Sequence, residues 1–220
     1  MAPEPAVVSK PGDIARFTGT ERALHWTHAV TFMILLGTGA ALLIPALGNL
    51  VGHHLTVLQI HLATAIFYVA GPLPWVLLGD RASLRRDLRA VDQWDDDDID
   101  WLKTSATRVF TGEPPPAQGR FNAGQKLNTI ATVAAILGFA ITGLIMWQTA
   151  RFPTWLVQNA VWLHDILAWV SAVLWAGHVY LAAIAPSTRP GLRGMITGSV
   201  DRAWARRHHA KWVDELEERP

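Results

Sequence analysis

The chain has 220 residues, with 19 Lys and Arg against 18 Asp and Glu and a formal net charge of +1, so it has room for one domain or two small ones and no basic excess for a nucleic-acid partner. Half of the residues are hydrophobic and only 17% are charged, against about 25% in a typical soluble domain. Cysteine is absent, which excludes disulfides, thiolate-held iron–sulfur clusters, Cys zinc sites and C-x-x-C-H haem attachment by this chain.

The first segment, 1–23, has no apolar run before Lys10 and carries Pro3, Pro5 and Pro11, which predicts an extended arm rather than a signal peptide. Four stretches follow with no Lys, Arg or Glu and a single Asp among them: 25–44, 55–79, 127–150 and 159–185. A helix needs about 20 apolar residues to cross a bilayer core, so all four are predicted to span, at about 24–46, 56–79, 127–150 and 159–185. A chain this short cannot wrap four apolar helices in its own protein. The fold class expected is therefore all-α, a four-span transmembrane helical bundle over 24–185. The eleven Trp residues suit membrane interfaces.

Basic residues set the orientation. Three precede the first span, eight lie between the second and third, seven follow the fourth, and Arg151 alone lies between the third and fourth. By the positive-inside rule both termini and the loop 80–126 are cytoplasmic. Within that loop, 80–92 is predicted to form a short amphipathic helix, while the Asp run 95–98 and the Pro run 114–116 predict irregular chain. The tail 186–220 is cytoplasmic; its stretch 191–218 mixes Met195, Ile196, Trp204 and Trp212 with basic residues, as a helix lying in the interface would.

Five of the nine His lie within the spans: His25, His28, His61, His164 and His178. An ionisable residue at membrane depth is by default a functional candidate. Fourteen residues of helix rise about 21 Å and return to within about 40° of the same direction. His164 and His178 thus share one face of the fourth span, one near each surface. By depth, His61 pairs with His164 near the outer surface and His25 with His178 near the cytoplasmic one. Two bis-histidine b haems, one above the other, need that arrangement, and low-spin iron without an open position carries electrons. Ala168 and Ser171 on the same face, and Gly37 and Gly39 on the first span, leave room for a flat macrocycle or for close helix approach; Trp175 reads as a packing spacer. His28 reads as a pocket residue or hydrogen-bond donor, His53 and His54 as solvated, and His208 and His209 as part of a solvent-facing tail. Asp165 is the one carboxylate within a span. A transporter using His as a proton relay is the competing class, but the 14-residue His pair has no evident purpose there.

Taken together, the opening Arg22-x-x-His25-Trp26, His61, the run Arg120-Phe121-Asn122-Ala123-Gly124-Gln125-Lys126, Leu163-His164, Gly177-His178-Val179-Tyr180 and the tail Trp204-Ala205-Arg206-Arg207-His208-His209 resemble the gamma, or cytochrome b, subunit of membrane-bound respiratory formate dehydrogenases over 16–216. Paired His alone would also fit the cytochrome subunits of nickel–iron hydrogenases and other quinone-linked anchors. The resemblance implies two haem b, with His61 and His164 as axial ligands of the outer haem iron and His25 and His178 of the cytoplasmic one. It implies a quinone, menaquinone or ubiquinone, at Asn122, Gly124 and Gln125. The amides there suit a quinone carbonyl, although a helix cap would use the same residues. The implied partners are an iron–sulfur beta subunit and a molybdenum- or tungsten-containing catalytic alpha subunit, in the inner membrane and in contact with its lipid. This chain has no formate active site of its own. Ala210 stands where the family usually has Pro, and neither the run 95–98 nor Asp165 is a family feature.

Overall fold

The computed structural model describes residues 12–111, 113 and 115–218. The expected N-terminal arm up to Pro11, and Pro114 of the Pro run, lie outside the described residues. The chain divides into two compact units.

One unit holds the central parts of the spans, residues 23–78 and 131–178. Its elements belong to α1 (Gly19–Leu43), a short α2 (Pro45–Val51), α3 (His54–Ala70), α4 (Leu73–Leu78), α7 (Ala123–Trp147) and α8 (Thr154–Val179). Four helical stretches, Gly19–Leu43, His54–Leu78, Ala123–Trp147 and Thr154–Ile184, are long and apolar enough to cross a membrane. At most 11% of the most apolar window of each is buried within the protein. Helices that are apolar all round yet unburied are made for lipid, not for a protein core. The second span breaks at Gly71 and Pro72 between α3 and α4, where the ring of Pro72 removes a backbone donor.

The other unit, described over 12–22, 79–130 and 179–218, is built from short elements. β1 (Asp13–Ala15) pairs antiparallel with β2 (Ser199–Asp201), with Ile14 opposite Val200. α9 (Leu192–Thr197) and α10 (Arg202–His208) pack on this ribbon and α11 (Ala210–Glu217) packs on α10; α5 (Arg81–Asp92) and α6 (Asp96–Thr111) complete the unit. Ile14, Val200, Trp204, Ala205, Trp212 and Val213 form its apolar core. Gly198, at φ +91, makes the turn into β2, and a Cβ there would lie 2.8 Å from the Phe17 carbonyl oxygen; only glycine takes that turn without strain. The stretch 191–218 is thus not one interfacial helix. Its Trp204 and Trp212 are core residues, because the ribbon folds the tail back on itself.

The loop 80–126 is mostly helical. The amphipathic helix expected over 80–92 is α5, capped by Asp80, whose carboxylate accepts from the Ala82 and Ser83 amides at 3.0 and 3.1 Å. The Asp run opens a helix instead of interrupting one. Asp95 and Asp98 accept from each other's backbone amides at 3.2 and 3.1 Å, and three Asp in the first turn of α6 face the positive end of its dipole. Thr18 and Glu21 cap α1 in the same reciprocal way, a Thr-x-x-Glu capping box.

Candidate functional site

In the span unit the imidazoles meet in two pairs. The ring centres of His25 and His178 lie 6.3 Å apart, and those of His61 and His164 lie 6.5 Å apart. An iron between two imidazoles, with each Fe–N bond about 2 Å and each ring centre about 1.1 Å beyond its nitrogen, needs about 6.2 Å. Both gaps have that width. Among the described residues no group of three or more His, Cys, Asp and Glu is arranged to hold a bare metal ion. Two imidazoles facing one gap suit an iron whose remaining ligands come from a macrocycle.

The ring nitrogens show which atom is free. Thr38 on α1 donates its hydroxyl to the Ile34 carbonyl at 2.7 Å, and its oxygen lies 2.8 Å from His61 Nδ1. A hydroxyl has one proton, so the proton of the second bond comes from Nδ1–H of His61. Thr142 on α7 repeats this. It donates to the Gly138 carbonyl at 2.7 Å and accepts from His164 Nδ1 at 2.8 Å. Both rings therefore keep Nε2 unprotonated, with its lone pair free for iron.

His28 bonds the Leu24 carbonyl at 3.2 Å through Nδ1 and packs edge-on to Tyr68, in no imidazole pair. His53 and His54 are exposed at the start of α3.

In the other unit, Asn122 and Gln125 cap α7 reciprocally. Gln125 N–H donates to Asn122 Oδ1 at 2.9 Å, and Asn122 N–H donates to Gln125 Oε1 at 3.0 Å. Both amide oxygens are engaged, while the Nδ2 and Nε2 donors take no part in the cap. A Cβ on Gly124 would meet the Trp101 ring at 2.8 Å and Asn122 Oδ1 at 3.4 Å, so this glycine lets α6 approach the start of α7.

His209 is a correction to the sequence reading. It is 1% exposed, not in a solvent-facing tail. Its Nδ1–H donates to the Gly119 carbonyl at 2.8 Å, which leaves Nε2 to accept from Arg16 Nη2 at 2.9 Å. Burial, then the Arg16 charge, holds its pKa well below the usual 6.5. Arg16 itself sits among the rings of Phe17, Trp204 and Trp212, with Cζ 5.2–5.4 Å from their centres, and also donates to the Arg120 carbonyl. Burial, with Arg120 nearby, lowers its pKa to about 9, so it stays charged at neutral pH. Arg120 in turn reaches Glu21 at 2.9 Å and Asp87 at 2.6 Å. The run from Arg120 and the tail from Trp204 to His209, remote in sequence, thus share one buried network.

Residues 16–198 match the family described as prokaryotic cytochrome b561. The chain belongs to that family. Haem b and electron transport follow from it, and the four apolar helices suit an integral membrane cytochrome. This cytochrome is also 26% identical over 214 residues, 96% of its length and 94% of the relative's, to the cytochrome b556 subunit of the nitrate-inducible formate dehydrogenase of Escherichia coli. A second Escherichia coli formate dehydrogenase cytochrome b556 subunit is 26% identical over 211 residues, covering 92% of this chain and 93% of its own. The corresponding subunit of Haemophilus influenzae is 26% identical over 216 residues, covering 94% and 85%.

Sequence reasoning passed over Thr38 and Thr142. The signal was there. Each begins a Thr-Gly step within a span, 23 and 22 residues before a candidate ligand.

Proposed function

We propose that this chain is the dihaem membrane subunit of a formate dehydrogenase complex, passing electrons from an iron–sulfur partner across the membrane to a quinone. The observation that supports it most is the width of the two imidazole gaps, His61 to His164 and His25 to His178. A bound haem supplies a one-electron iron centre that six-coordination closes to oxygen. His164 and His178 stand about 21 Å apart along α8 by helix rise, which stacks two such centres across the membrane. The basic residues put both termini and the loop 80–126 in the cytoplasm of a cell with this inner-membrane protein. Electrons then enter at the His61–His164 pair and leave at the His25–His178 pair. The formate side of the reading comes from the relatives' names, which are those of formate dehydrogenase cytochrome b556 subunits. An iron–sulfur beta subunit as donor and a molybdenum- or tungsten-containing alpha subunit that oxidises formate are the partners the sequence resemblance implies.

The haem count is tested by a pyridine haemochrome assay on the complex purified in mild detergent. Two b haems per chain are expected, both reducible by formate. A value near zero in folded protein overturns the cytochrome mechanism.

Asn122, Gly124 and Gln125 make the quinone site in this reading. A quinone carbonyl accepts hydrogen bonds, and the Nδ2 and Nε2 donors left over by the cap can supply them. Asn122→Ser separates the two duties, since Ser caps a helix about as well as Asn but lacks the amide donor. Slower reoxidation of the haems by added quinone is expected, by a few-fold, given about 0.5–1.5 kcal/mol for one neutral hydrogen bond. Unchanged thermal stability and haem content should accompany it. Wild-type quinone kinetics in Asn122→Ser would leave the residue a cap alone. Gly124→Val is the poorer probe, because its side chain collides with Trp101 whatever binds nearby.

A further inference from the structure

We infer that the steps Thr38-Gly39 and Thr142-Gly143 are matched cradles that fix the tautomers of His61 and His164 and hold the haem between them at a lower reduction potential than the other haem. The inference rests on the dihaem reading above and adds a division of labour between the two haems.

The two cradles repeat each other. Span one offers Thr38 and Gly39 to His61 of span two, and span three offers Thr142 and Gly143 to His164 of span four. Each Thr hydroxyl bonds back to its own helix, to Ile34 and Gly138 respectively, at 2.7 Å. That i−4 bond orients the oxygen lone pair outward, 2.8 Å from the Nδ1 of the neighbouring ring. The glycine that follows lies against the ring edge, where a Cβ would only make ordinary van der Waals contact, so the hydroxyl is what holds the ring. A Cβ at Gly39 would lie 3.4 Å from His61 Cε1, and one at Gly143 would lie 3.7 Å from His164 Cε1. The halves of the chain thus contain one device twice, although their sequences carry no evident repeat.

The other pair lacks the device. Among the described residues, His25 Nδ1 is buried without a hydrogen-bond partner, and no hydroxyl bonds the ring of His178. An oxygen accepting Nδ1–H makes an imidazole more basic and a stronger donor through Nε2. Stronger donation favours ferric over ferrous iron, so the one-electron reduction of that haem becomes harder. Each electron arriving at the His61–His164 haem then moves on to the His25–His178 haem with a favourable driving force. The difference comes from two hydroxyls on spans one and three, not from the ligands themselves.

The test is an equilibrium redox titration of the purified complex, followed by haem absorbance, with the His61–His164 component assigned from its loss in His61→Ala. Thr38→Val and Thr142→Val keep the side-chain shape and remove the hydroxyl. Each should move the midpoint of that component upward, by about two- to tenfold in its ferric-to-ferrous ratio at fixed potential. The double variant should move it further, and the other component should stay in place. Thr38→Ser and Thr142→Ser restore the hydroxyl and should restore the midpoint. If two haems are bound and neither midpoint moves, or both move together, the cradles do not set the potential. If the wild-type protein binds no haem, the dihaem reading itself fails, and the two failures are told apart by the haemochrome assay.

Discussion

His61→Ala and His164→Ala are each expected to remove one and the same haem component, and His25→Ala and His178→Ala each to remove the other. A haem iron held by two imidazoles loses half of its protein ligation when either goes. Each single variant should therefore be nearly as damaging as the corresponding double, dropping haem content from two towards one per chain. The pairs to be tested are the ones whose ring centres stand 6.5 and 6.3 Å apart. His28→Ala is the control: its ring bonds a backbone carbonyl and packs on Tyr68, so both components should survive. Difference spectra and haemochrome content of the five variants decide the matter. If His61→Ala and His178→Ala removed the same component, the pairing would be wrong.

Lys126→Met should cost about 3–5 kcal/mol of stability, the range for stripping one partner from a buried ion pair. Lys126 is 5% exposed and Asp98 2% exposed. The Lys126 ammonium donates to Asp98 Oδ2 at 2.6 Å and to the Gln93 carbonyl at 2.7 Å, fastening the first turn of α7 to the start of α6. Methionine fills a similar volume, so most of the loss comes from leaving the Asp98 carboxylate buried and unpaired. The paired variant Lys126→Met/Asp98→Asn removes that charge as well and should regain most of the loss. Thermal unfolding in detergent reads both, and a Lys126→Met midpoint equal to wild type would mean that water reaches the pair.

What could be read along the chain was whatever depends on a single coordinate. A helix in lipid satisfies its backbone within itself, so a long uncharged run is enough to set a span, and four such runs are four helices in the structure. Position within a span is depth, and depth brings His61 to His164 and His25 to His178 without knowledge of any contact. Even the cap of α7 follows locally, from an Asn and a Gln three residues apart. The tail and the central loop obey no such rule. Their elements are short, with no long periodic face, and Arg16 meets Arg120 and His209 across separations of 104 and 193 residues. Trp204, Trp212 and His209 look like interface and surface residues in sequence, and only the β1–β2 ribbon puts them inside.

Composition and the spacing of the uncharged runs thus determined the all-α class and the four spans of this cytochrome, because lipid selects for local sequence. Tertiary structure alone decided that the Asp95–Asp98 pair opens a helix held by Lys126, that the tail closes over Arg16, and that two threonines face two imidazoles. Those outcomes depend on which side chain stands opposite which. A hydrogen bond of 2.8 Å between Thr38 and His61 or between Thr142 and His164 is fixed by the rotation of neighbouring helices about their axes, and apolar runs leave that rotation free until the helices pack.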